Sequence, residues 1–317
     1  MTFKKLTLAM ALAALPMVAV AGPADTLVSL MNAGGTTLIE DDSAESLIKG
    51  AGNTGGATVM EVGDTLRGII RMQKINNVAL AIAPAGGIEL TGVFETEVVA
   101  KINTGFGYIF EFAPVSSGSF LSSIASADYG LVDTSGMAGA MIAFFADNTP
   151  DFAIGGAGCT TTGAGGNCEA KASDGQLFAI AGMTGDDDEF WRTGVVPTDN
   201  LATFQTLTTA ESLGQFGFNL GLLYSAFTPS SVDCGVAYNL YAPLGANKCG
   251  DGDGQVGVQG SGQLLGVKEG GSIITPYMAT DDTDFIVART SVPEPATLGL
   301  LGLGLLGMGA MIRRRKA

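Results

Sequence analysis

Apolar and polar residues alternate along much of this chain. In Thr65–Ile75 the apolar positions are Leu66, Ile69, Ile70, Met72 and Ile75; in Glu89–Ile102 they are Leu90, Val93, Phe94, Val98 and Val99, interleaved with Thr91, Thr96 and Glu97. β-Branched and aromatic residues at near-period-two spacing predict strands. Thr58–Val62, before the turn Gly63-Asp64, predicts a strand that pairs with the first of these. Gly105–Phe112 carries Phe106, Tyr108, Phe110 and Phe112 at every second residue, so one strand face holds all four. That face is read as core, with an aromatic platform for sugar rings as the alternative. Met137–Ala146, Leu177–Met183 and Phe216–Phe227 predict further strands, the last with Phe216, Phe218, Leu220, Leu222 and Tyr224 in register. Tyr238, Leu240 and Ala242 alternate, and Leu264–Val267, Ile273–Met278 and Phe285–Ala288 predict the final strands, with Asp281, Asp282 and Asp284 in a connection. Asp25–Asn32 reads as a short amphipathic piece and the rest of Gly22–Gly56 as polar, Gly-rich connections, while Ser116–Asp133 suggests a short helix.

No segment sustains a 3.6-residue apolar stripe, and glycine makes up 47 of 317 residues, about twice its usual share. Many short strands with glycine turns predict a mainly β body, an antiparallel sandwich or jelly-roll-like fold. No repeat at a fixed period points to a solenoid or propeller.

The two ends break this pattern. Lys4 and Lys5, the apolar stretch Leu6–Val20 and the small residues Ala19 and Ala21 before Gly22 have the order of a signal peptide, residues 1–21. At the other end, Leu298–Ile312 are 15 residues of Leu, Gly, Met, Ala and Ile, followed by Arg313, Arg314, Arg315 and Lys316. A helix of that length rises about 22 Å, a marginal transmembrane span. The four cations hold its end in the cytoplasm and leave the body outside. Pro293 and Pro295 bracket Glu294 just before the span and keep the segment extended. The Pro293-Glu294-Pro295 motif, the short apolar span and the basic end, about residues 292–317, together resemble the PEP-CTERM sorting signal of Gram-negative bacteria. The resemblance implies cleavage near Pro293-Glu294-Pro295 by an exosortase, a transpeptidase-like membrane protease. It also implies a transient single-pass anchor and delivery to the cell surface or extracellular matrix. It leaves the activity of the body, residues 22–291, open.

Charge and cysteine narrow that activity. Six of the 16 basic residues but only Glu294 of the 31 acidic ones lie in the two terminal signals, so the body carries a net charge near −20. That charge excludes nucleic acid as a partner and leaves divalent cations, basic surfaces and exopolysaccharide. The four cysteines of an exported chain predict disulfides, by proximity Cys159–Cys168 and Cys234–Cys249. There is no histidine, which removes Ser-His-Asp and Cys-His nucleophilic sites and histidine-ligated zinc. Two places suggest ligand binding. Asp186, Asp187, Asp188 and Glu189 precede Trp191, and Asp251 and Asp253 lie in a Gly-rich loop that lacks the glutamate of an EF-hand. The expected chain is therefore an exported surface or matrix protein, structural or adhesive in exopolysaccharide or biofilm. It is processed by signal peptidase and an exosortase, is not an enzyme and has no cofactor, with calcium as the one candidate metal. The alternatives are a carbohydrate- or calcium-binding module and a polysaccharide-acting glycosidase, which needs only two suitably spaced carboxylates.

Overall fold

The computed structural model describes residues 22–80, 87–116, 119, 121, 138–154, 159, 167–186, 188–204, 215–230, 232–233, 255–265, 277 and 279–290. In chain order they form α1 (Pro23–Leu30), β1 (Gly35–Ile48), β2 (Thr65–Ile75), β3 (Val78–Ala79), β4 (Glu89–Asn103), β5 (Tyr108–Ala113), β6 (Ala140–Asp147), α2 (Asn167–Ala172), β7 (Gln176–Gly182), β8 (Phe190–Thr193) and α3 (Leu201–Phe204). Then follow β9 (Gln215–Ser225), β10 (Pro229–Ser230), β11 (Val232–Asp233), β12 (Gln255–Val256), β13 (Val258–Leu265) and β14 (Ala279–Arg289).

The fold is mainly antiparallel β, as the alternation predicts, but the sheet closes on itself. Going round, β2, β1, β14, β13, β9, β7, β6 and β4 are neighbours, and β4 returns to β2, giving an eight-stranded barrel in place of a sandwich or jelly roll. Alternation specifies which residues share a face and says nothing about whether the first strand meets the last. Here closure is made by β1 against β14, from Gly35 opposite Arg289 to Glu45 opposite Ala279. One sector of the wall is divided. The same edge of β4 pairs with β6 over Glu89–Phe94 and with β5 over Glu97–Asn103. The same edge of β9 pairs with β8 over Phe216–Asn219 and with β7 over Gly221–Ser225. Two hairpin-like pairs, β6–β7 and β5–β8, thus fill one gap end to end.

Aromatic side chains fill the lumen, among them Phe94, Phe112, Phe144, Phe218 and Phe285. Inward glycines make room for them. A Cβ on Gly260 would stand 2.2 Å from Phe218 Cζ, and one on Gly68 2.2 Å from Phe94 Cε1, well inside van der Waals contact. Leu27 of α1 and Met31 just after it are buried at the end of the barrel where β14 finishes. At the opposite end Met60, Leu201 and the Lys101 ammonium close the mouth, with Lys101 bonded to Met60 O at 2.9 Å and Asp199 Oδ2 at 2.7 Å. A second apolar layer lies outside the wall, where α2 and Phe152 cover Ile69, Val93, Phe145 and Ile180. Strand β6 is buried on both faces for this reason, and it reads as a continuous apolar run.

Several expectations are corrected. Thr58–Val62 forms no strand beyond an isolated bridge from Val59 to Asn200. The polar stretch before Gly56 contains β1. Asp281, Asp282 and Asp284 lie inside β14, not in a connection. The strand with the spaced aromatics begins at Tyr108, because Gly105 and Gly107 take positive φ in a tight turn. Phe106 stands at the tip of that turn, 92% exposed, while Phe110 and Phe112 point into the core.

Candidate functional site

Strands β1 and β14 carry an unusual load of acid. Inward positions alternate as Thr37, Ile39, Asp41, Ser43, Glu45 and Leu47 on β1 and as Ala279, Asp281, Thr283, Phe285 and Val287 on β14, all buried. Three carboxyls therefore enter an otherwise apolar lumen. Asp281 accepts the Ser43 and Thr283 hydroxyls at Oδ1, the latter at 3.1 Å, and Asp41 Oδ1 accepts Thr283 N–H at 3.0 Å. No donor reaches Asp41 Oδ2 or either Glu45 oxygen. No lysine or arginine pairs with these acids among the described residues. Burial first, then the neighbouring Asp281, Asp42 and Asp282 charges, push the Asp41 carboxyl well above its usual range against the Thr283 bond. Burial first, then the charges of Asp281 and Asp41, do the same to Glu45. The cavities beside these groups measure about 20 Å³ and 10 Å³, space for about one water each. Cavities of that size admit no polymer.

The outward faces of the same strands meet water and carry most of the polar chemistry. Across the wall, Glu111, Arg192, Gly217, Ser261, Asp284, Glu40 and Lys74 are successive cross-strand neighbours. Gln215, Gln263, Asp282, Asp42 and Arg71 form a second row beside them. Ion pairs occupy the ends of the first row, Arg192 with Glu111 at 3.1 Å and Lys74 with Glu40, and Arg71 holds Asp42 at 2.7 Å in the second. Between them, where Gly217 and Ser261 offer little outward side chain, opens a groove of about 280 Å³ walled by Gln215, Gln263, Asp282 and Asp284. Partial burial and Glu40 opposite it raise the Asp284 carboxyl, and Lys74 offsets part of this.

A third acidic group gathers at the end where β4 begins. Glu89 faces Asp147 directly across β4–β6, with Asp151, Asp174 and Lys171 nearby. Its Oε2 accepts Phe152 N–H at 3.1 Å. Burial, then Asp151, Asp147 and Asp174, raise it to about 7 against that bond. Among the described residues no three acid or thiol side chains are arranged to hold a metal ion.

The residues singled out from sequence fall differently. Trp191 is no exposed platform: it is 7% exposed inside the barrel, with ring centroids 5.0 Å from Phe218 and 5.8 Å from Phe94. The neighbouring acids form a self-satisfied turn in which Glu189 Oε2 accepts the N–H groups of Thr184, Gly185 and Asp186 at 2.6, 2.9 and 3.2 Å. Asp188 is buried and Asp186 exposed, so these acids and Trp191 form no common face. Cys159 and Cys168 are joined, with Cα atoms 4.4 Å apart. Asp187, Asp251, Asp253, Cys234, Cys249, Ala19, Ala21, the Pro293-Glu294-Pro295 motif and Arg313–Lys316 lie outside the described residues. Among the described residues no helix is long and apolar enough to cross a membrane. The lumenal acids and the groove went unnoticed in the sequence, although the period-two placement of Asp41, Ser43 and Glu45 between Ile39 and Leu47 was there to be read.

Residues 291–316 match the PEP-CTERM protein-sorting motif. No curated protein and no solved structure matches the chain.

Proposed function

We propose that this chain, whose tail carries a PEP-CTERM sorting signal, is a non-enzymatic surface protein that serves a structural or adhesive role in an exopolysaccharide matrix. The sorting motif at residues 291–316 is the observation that carries the reading, because it implies export, processing by an exosortase and delivery to the cell surface. The barrel is compatible with that role. Its described lumen is packed with aromatic side chains and leaves only water-sized cavities around its acids, which argues against a carrier of small molecules. The acid-rich outer face stays hydrated and resists collapse of neighbouring copies onto one another.

Mass spectrometry of protein recovered from the cell surface tests the sorting step. The expected mature chain lacks Leu298–Ala317; recovery of peptides containing Arg313–Lys316 would reduce the tail to a plain anchor. Incubation of the protein with matrix polymer tests the rest. Association without change in polymer length is expected, and new reducing ends would favour the glycosidase reading instead.

A further inference from the structure

We infer that the groove on the outer face of β9, β13 and β14 binds a neutral, hydroxyl-rich sugar unit of a polysaccharide chain. This inference rests on the adhesive reading above and assigns it a place on the barrel. The groove crosses three strands, about 10 Å, and two outward positions along them, about 7 Å, the footprint of a single sugar ring. Its volume of about 280 Å³ is the right order for one such ring and is open to solvent on the outer side.

The lining selects the chemistry. Gln215 and Gln263 each present an amide that both donates and accepts, Ser261 a hydroxyl that does the same, and Asp282 and Asp284 accept only. A sugar hydroxyl also donates and accepts, and neighbouring hydroxyls can give two parallel bonds to one carboxylate, so this mixture fits a polyol edge. No cationic side chain lines the groove. Arg71, Lys74 and Arg192 are the nearest cations along the two rows, and each is engaged by Asp42, Glu40 or Glu111. A uronate or sulfated polymer would meet two carboxylates and a body near −20, a repulsion that opposes binding. A metal bridge is disfavoured by the absence, among the described residues, of three converging acid ligands. The groove exists because of local residue size: Ser261, beside Gly217, interrupts a row of longer side chains on a rigid wall, so its shape is set before a ligand arrives.

The test uses the full chain, purified in detergent, with EDTA present throughout. Retention is measured on a panel of immobilised neutral glucans, galactans and mannans, with alginate as the polyanion. Wild type should be retained on at least one neutral polymer and not on alginate. Ser261→Gln, which fills the floor, and Gln263→Ala combined with Asp284→Asn, which removes one polar group from each row, should each weaken retention at least tenfold. Their thermal midpoints should match wild type, since all three positions face water. If wild type binds and both variants bind equally well, the groove assignment falls while the adhesive reading stands. If wild type binds none of the neutral polymers, both fall.

Discussion

Glu89→Gln makes the cost of the crowded carboxylates measurable. Folding raises the Glu89 carboxyl from its ordinary 4.5 to about 7, chiefly by burial and then by Asp151, Asp147 and Asp174, while the Phe152 N–H bond works in the opposite direction. Between these values the folded chain holds a proton that the unfolded chain has released. Stability from this group is therefore full below about 4.5 and declines as pH rises to 7 and beyond. The full linkage corresponds to about 3 kcal/mol, and because one side of the cluster meets water the expected loss is about 2 kcal/mol. Glutamine has nearly the shape of protonated glutamate and keeps an oxygen for Phe152. Urea unfolding of wild type and Glu89→Gln should therefore give equal stabilities near about pH 4 and a variant more stable by about 2 kcal/mol near about pH 8. Asp174, raised to about 6 by burial and its acidic neighbours, titrates in both proteins, and loss of the Glu89 charge beside it adds to the variant's advantage at high pH. Parallel pH profiles for the two proteins, or a variant that is the weaker one at high pH, would refute the reasoning.

Glu45→Gln should likewise raise the thermal midpoint at neutral pH, by a margin that widens as pH rises, because burial raises the Glu45 carboxyl and a neutral amide escapes that cost; a lower midpoint at high pH would refute it. Trp191→Ala should cost about 3–5 kcal/mol in chemical denaturation, the loss expected of an aromatic packed between Phe94 and Phe218. A variant as stable as wild type that has lost polymer retention would return Trp191 to the role of an exposed sugar platform.

Much of the wall was legible as a list of strands, and its closure was not. Strands β2, β4, β6, β7 and β9 show through their apolar positions, since the lumen on one side, and for β6 the second apolar layer on the other, demand such residues. β1 stayed hidden because Asp41, Ser43 and Glu45 occupy inward positions where alternation normally shows Val, Ile or Phe. The same disguise made Asp281–Asp284 look like a connection. Phe106 was assigned to a strand face because spacing alone cannot register two glycines at positive φ that turn the chain around it. Trp191 beside four acids suggested a binding site, yet β8 alternates strictly, so Trp191 turns inward while Arg192 turns outward to Glu111. The sorting motif in the tail was readable because its message is carried by residue order alone and needs no tertiary context.

The last strand has one more property. β14 ends at Arg289 and the sorting motif begins at residue 291, so a pull on the processed C-terminus enters the barrel along the axis of β14. That strand is clamped on both edges, by β1 from Gly35 to Glu45 and by β13 from Val258 to Leu265. Antiparallel hydrogen bonds lie across the strand direction, and a lengthwise pull loads both rows in shear, all together, where a sideways pull would peel them one at a time. On the adhesive reading proposed above, the end left by sorting would thus be a handle loaded in shear rather than by peeling.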